Sequence, residues 1–331
     1  MPKRFLGNIM TDAPTAPDGP YASSAASGVW SLAEVLSYTK GGLWPTTGNT
    51  APFAFIGANG NYQRTFIPSL GNAVAWGTAY DSEAATMAAS SSTRGLWAGG
   101  STNTTQIQYL TFSTSGSGAD FGDLAYSKGT AGGGFGSATR GIFAGGQGDP
   151  RNSIQYVTIS SVGNATDFGD LSSEDFSNGA GAFASTTRGV IAESHNSNVV
   201  IDYVTIASAG NGSNFGNLTQ ARKEFCGASN ATRGLFAGGV SGSTRRNTID
   251  YVTIASTGNA LDFGNLTLAR EKLAGSASTT RALFQGGSTG SVRNTIDYVE
   301  IASTGNAVDF GDLASTKYDI SGCSNSHGGI A

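Results

Sequence analysis

The segment Thr-Arg-Gly-Leu-Phe-Ala-Gly-Gly at 232–239 recurs at 93–100, 139–146, 187–194 and 280–287, placing arginines at 94, 140, 188, 233 and 281, spaced 46, 48, 45 and 48 residues apart. A second signature, Ile-Asp-Tyr-Val-Thr-Ile at 249–254, recurs with its tyrosine at 109, 156, 203, 251 and 298. A third, Asp-Phe-Gly-Asn-Leu at 262–266, puts an aromatic residue at 76, 121, 168, 215, 263 and 310, six copies at steps of 45 to 48 residues. A fixed period of this length means that one supersecondary unit buries its apolar surface against copies of itself.

Each unit reads as β-strands. In 296–301, Ile296 and Tyr298 fall on one face of an extended chain and Val299 and Ile301 on the other, so both faces carry apolar groups. Leu235, Phe236 and Ala237 form a continuous apolar run into Gly238 and Gly239. A short strand follows near 262–266, and a small-residue stretch such as 273–277 supplies a fourth; Ser, Thr, Asn and Gly clusters separate the four. Four short strands per unit predict the blade of a β-propeller, the small-residue strand crowding the central axis. The array begins in mid-unit at Phe53 and ends in mid-unit near Cys323, so the two partial units add up to one blade. The fold predicted is therefore an all-β propeller of six four-stranded blades, closed by a C-terminal strand that pairs with the N-terminal three. Residues 328–331 resemble the start of a further hairpin, which leaves seven blades as the alternative, and are read as a short tail.

Charge narrows the function classes. Nineteen Lys and Arg against 23 Asp and Glu give a net charge of −4, which excludes a strongly basic nucleic-acid binder as the default. Two cysteines and two histidines are too few for a disulfide framework or a His-rich metal centre. No apolar stretch approaches the ~18 residues that span a membrane, and 1–10 lack a signal-peptide core.

The unit resembles a kelch repeat, with the glycine pair at Gly238 and Gly239, the tyrosine at Tyr251, the aromatic at Phe263 and an arginine following, as at Arg222 or Arg270. The fourth unit departs from it with Glu193 and Ser194 in place of the glycine pair. The near-identical units around 247–266 and 294–313, with Gly28-Val-Trp-Ser-Leu-Ala-Glu-Val35 and Trp44-Pro45, are also similar to virion proteins of tailed bacteriophages, marine and cyanobacterial ones especially. That resemblance implies a tail or neck fibre or appendage protein on the virion, contributing to host attachment; a homotrimer is compatible with it.

Residues 1–50 lie outside the repeat and read as an arm, with 51–331 as the propeller. Ser31 and Glu34 form a capping box for a helix of about ten residues, too short to stand alone in water. Trp30, Leu32, Val35, Leu36 and Trp44 are its candidate docking residues, with another virion protein or a sister chain as the expected partner and packing on its own propeller as the alternative.

Candidate chemistry is sparse. Asp-Phe-Gly triplets mimic the kinase magnesium motif, but they repeat without its companions and read as structural. The repeated arginines are expected to pair with repeated Asp or with backbone carbonyls. Cys226 and Cys323 read as buried thiols in non-adjacent blades. No catalytic residue, cofactor or metal is assigned. Glu174, Asp175, Glu193 and Glu224 break the repeat and are what a glycan hydrolase would have to use. The loops between second and third strands vary while the strands barely change, and by connectivity they share one rim. Asn103, Arg151, Asn152, His195, Asn196, Arg245, Arg246 and Arg293 lie in them and are the candidate contacts to a host glycan or protein. The competing reading is a purely architectural virion subunit.

Overall fold

A computed structural model describes residues 51–330 apart from 59, 85, 115, 130–131, 174–179 and 193–198. The chain divides into two units, 1–51 and 52–331, and the second is the propeller. The arm residues Trp30, Leu32, Val35, Leu36 and Trp44 lie outside the described residues, as do His195, Asn196, Glu174, Asp175 and Glu193.

Six four-stranded antiparallel sheets follow one another around a ring. Blade 1 is composite: Ser321–Ser324 is innermost, then Phe53–Ala58, Asn61–Phe66 and Val74–Thr78. Ala54 faces Ser324 and Gly57 faces Ser321, so the closing strand leaves no open inner edge. Blades 2 to 6 run in chain order, with innermost strands Met87–Ser90, Gly132–Gly136, Gly181–Ala184, Cys226–Ser229 and Ala274–Ala277. Residues 328–330 add no seventh blade; Gly328–Ile330 is a 3-10 turn with both glycines buried.

The small residues of the inner strands follow from the crowding at the axis. One register position holds Gly322, Ala88, Gly134, Ala182, Gly227 and Gly275 around the ring. A Cβ on Gly275 would sit 2.2 Å from the Gly227 carbonyl oxygen, so backbone meets backbone with no side chain between. The second strands are buried on both faces: Leu235 and Phe236 are fully enclosed, each contributing about 1.5–3 kcal/mol by leaving water.

Three repeated contacts join neighbouring blades. The Thr-Arg arginines lie over the tyrosine of their own blade, 4.3–4.9 Å from ring centroid to guanidinium carbon. Each also donates to a carbonyl of the next blade: Arg94 to Ile159, Arg140 to Ile206, Arg188 to Ile254, Arg233 to Ile301, at 2.8–3.0 Å. Arg281 reaches Pro68 O at 2.9 Å and so ties blade 6 to blade 1. The expectation of carbonyl partners holds. Arg281→Met should lower stability by about 1–2 kcal/mol in urea titrations, because it removes a charged hydrogen bond and a cation–π interaction at a half-exposed site. An unchanged midpoint would mean that the clasp adds nothing to closure.

The second contact is a polar residue in the third strand that reaches back to the preceding blade. Asp202, Asp250 and Asp297 are fully buried and accept from Ser172, Thr219 and Thr267, hydroxyl and backbone N–H together. In the third, an Asn side chain accepts from the neighbouring outer strand, as Asn164 Oδ1 does from the Asp123 N–H at 3.0 Å. This contact explains the Asp-Phe-Gly triplets: Gly122 has φ +140°, and a Cβ there would lie 2.6 Å from Gly163. The triplet is structural, as its repetition implied.

Candidate ligand-binding face

In an antiparallel meander, the loops joining second to third strands lie at the same end as the start of each innermost strand. That end of the ring opens as a funnel of about 160 Å³, lined by the first residues of the inner strands and by Gln147, Glu224, Lys272 and Asp319. The opposite end is narrowed by the segment after the last strand to a cavity of about 40 Å³ that His327 helps to line. His327 Nε2 lies 3.0 Å from Ser90 O, and its Nδ1 accepts the Gly329 N–H at 3.1 Å. A Cβ on Gly329 would sit 1.9 Å from Gly136 O, and one on Gly328 2.1 Å from Asn230 O, so the turn fits closely against blades 3 and 5.

The funnel lip is built by the connections entering blades 5, 6 and 1. Glu224, Lys272 and Asp319 each stand two residues before an innermost strand. All three are left-handed, with φ of 58°, 58° and 52°, and with Asn103 they are the non-glycine residues of positive φ among the described residues. That conformation is costly for a residue with a Cβ, and strain of this kind gathers at functional sites. It turns each backbone so that the Lys272 N–H donates to Glu224 O (2.8 Å) and the Asp319 N–H to Lys272 O (3.1 Å). The lip therefore runs continuously across three blades. It is braced from outside, where Lys223 exchanges backbone hydrogen bonds with Val240 and Glu271 with Ser288.

The side chains divide unevenly. Lys272 Nζ donates to Asp319 Oδ2 at 3.1 Å, both groups roughly a quarter to a third exposed. Burial opposes the Lys272 charge, but Asp319 outweighs it and holds the ammonium pKa above the ordinary lysine value. Glu224 is half-buried and its carboxylate has no hydrogen-bond partner among the described residues. Burial raises its pKa, and Lys272 only partly offsets this. Among the described residues no group of three His, Cys, Asp or Glu side chains is placed to hold a metal.

The predicted loop contacts share this face but are less free than the sequence suggested. Arg245 lies in a small added hairpin, Val240–Ser241 with Thr244–Arg245, and its guanidinium pairs with Glu271 at 2.8 Å. Arg246 is half-buried and its backbone donates to Gly239. Arg293 begins a strand rather than lying in a loop, is exposed, and donates through Nε to Thr289 at 2.9 Å. Asn103 and Arg151 are exposed, and Asn152 is half-buried with its carbonyl accepting the Leu171 N–H. The structure brings Arg245 to the funnel lip through Glu271 and leaves the others around the rim.

Of the lip residues, the sequence alone singles out only Glu224. The signal for the group was present: the position two before each small-residue strand is charged in three successive units, Glu224, Lys272 and Asp319, and uncharged at Ala85, Thr130 and Gly179. Cys226 and Cys323 are buried free thiols in blades 5 and 1, with blade 6 between them, and burial pushes the Cys226 thiol up to about 12. No protein-family model matches the chain, and no curated protein matches it.

Proposed function

We propose that the protein is a non-enzymatic structural and binding component of a tailed-phage virion, carried on a tail or neck appendage, with the funnel face turned toward a host-surface glycan or protein. The observation that carries a binding role is the contrast between the two ends of one rigid ring. One end is narrowed by a close-fitting turn to a cavity of about 40 Å³. The other is an open, polar, braced funnel ringed by the variable loops, where binding usually sits on a rigid scaffold. The phage assignment is supported by the sequence resemblance of the repeats and of the segment around Trp30. The arm is assigned to another virion protein, and the propeller to the outside of the particle.

Imaging virions with the propeller labelled tests the location. Label at the tail tip supports host recognition; label at the neck or head favours an architectural subunit; virions without label refute the phage assignment. The double variant Arg245→Ala with Arg246→Ala should weaken adsorption while the disc stays folded, because a single partly exposed ion pair such as Arg245–Glu271 contributes on the order of 1 kcal/mol. Unchanged adsorption would count against this face as the receptor surface.

A further inference from the structure

We infer that the funnel holds one uncharged sugar residue of a glycan, its hydroxyls donating to the carboxylates of Glu224 and Asp319 and accepting from the Lys272 ammonium. This rests on the reading of the funnel end as the binding face and names what that face takes.

Size comes first. A cavity of about 160 Å³ is close to the ~150 Å³ that takes one six-membered ring, the scale of a single pyranose and too small for a folded protein element. Charge comes second. The lip and its brace carry Glu224, Glu271 and Asp319 against Lys223, Lys272 and Arg245, a balance of three and three. Asp319 is paired with Lys272 and Glu271 with Arg245. A strongly anionic or cationic ligand would therefore meet no net counter-charge, whereas a polyol donates and accepts without adding charge.

Donor and acceptor chemistry agrees. A carboxylate is an acceptor-only group with about four lone-pair sites, and Glu224 fills none of its own with a described neighbour. Sugar O–H groups supply that type of donor, and O–H···O⁻ bonds are among the stronger ones. The Lys272 ammonium uses one of its three protons on Asp319 and lies 5.7 Å from the centroid of the Tyr318 ring.

Saturation-transfer NMR and calorimetry on the full chain with the methyl glycosides of glucose, galactose and mannose test this. At least one should bind saturably with Kd on the order of 1 mM, about −4 kcal/mol. Glu224→Gln and Asp319→Asn should each weaken it about tenfold. Glu224→Gly removes the carboxylate at a position whose φ suits glycine, so it keeps the fold and should weaken binding as much. Val308→Ala, on the exposed outer strand of blade 6, should leave it unchanged. The inference falls if none of the three glycosides binds, if binding survives all three lip variants, if sialic acid or spermidine binds more tightly, or if the glycoside is cleaved. Adsorption that depends on Arg245 and Arg246 with no glycoside bound would sink the funnel assignment alone. Loss of both would remove the binding face as well.

Discussion

Replacing Asp297 by alanine should lower the unfolding free energy of the propeller by about 3–5 kcal/mol, the scale expected when one partner of a buried ion pair is removed. Asp297 and Arg270 meet at 2.9 Å with no exposure on either side. Arg270 also donates to the carbonyls of Gly286, Thr295 and Phe284, and Asp297 accepts from both the backbone and the hydroxyl of Thr267. Without the carboxylate, a guanidinium stays in the interior with no counter-charge, and Thr267 loses both acceptors. Asp250→Ala should act similarly through Arg222, whose pair spans 3.1 Å. Changing both partners, Arg270→Met with Asp297→Leu, should cost markedly less than Asp297→Ala, because desolvation offsets most of what a buried pair gains. Equilibrium unfolding in urea reads all three. A loss under about 1 kcal/mol for Asp297→Ala would mean that Arg270 reaches solvent or a second acceptor.

The same site shows what the sequence conceals. Strand number, phase, closure and the role of Asp-Phe-Gly were legible because they are periodic, and period is what a single sequence displays. Compensations between positions are not periodic. Four residues before the innermost strand, blades 5 and 6 carry Arg222 and Arg270 and blades 1 and 3 carry Lys317 and Lys128. The third-strand partner is Asp where the cation is Arg, and Gln63 or Gln155 where it is Lys. Lys128, which faces Gln155 where blades 5 and 6 have an Asp, is pushed down to about 8 by burial, partly opposed by Asp149 and Asp170, and donates to Pro150 O.

Blade 1 conceals its kinship in the same way. It has no Thr-Arg, and Phe53 occupies the arginine's register position while Arg64 occupies the tyrosine's. The cation still lies over the ring, at 4.7 Å, with the partners exchanged between strands. Phe55 then stacks on Phe112 at 4.1 Å, so the seam between blades 1 and 2 is aromatic where the others use an arginine clasp. Sizes compensate too. Gly234 has no room for a Cβ because the Phe183 ring of the preceding blade is 1.9 Å from where it would be. The matching residue in blade 6 is Ala282, facing Ala228 in place of the ring. The funnel is hidden from the sequence for a related reason: its charges come from three connections that only ring closure brings together.

Closure at the other end makes stability depend on pH through His327. The ring accepts the Gly329 N–H at Nδ1, so the proton belongs on Nε2, where it is donated to Ser90 O, and the imidazole is neutral. Its hydrogen-bond partners Ser90 and Gly329 do not titrate, and burial pushes its pKa down to about 4. In the unfolded chain the same group titrates near 6.5. Between these values the unfolded chain takes up a proton that the folded ring refuses, so stability falls as the pH falls from about 6.5 to about 4 and is unaffected above that window. The full contribution at pH 4 is on the order of 3 kcal/mol. Below pH 4 the folded protein can itself protonate only by setting a new N–H donor at Nδ1 against the Gly329 N–H, which opens the turn. Carboxylates elsewhere also titrate in this range, so the measurement is the difference between the wild-type and His327→Gln stability curves from pH 8 to pH 4. The difference should be flat above about pH 7 and narrow by on the order of 3 kcal/mol toward pH 4. Parallel curves would show that the axial turn does not hold a neutral histidine.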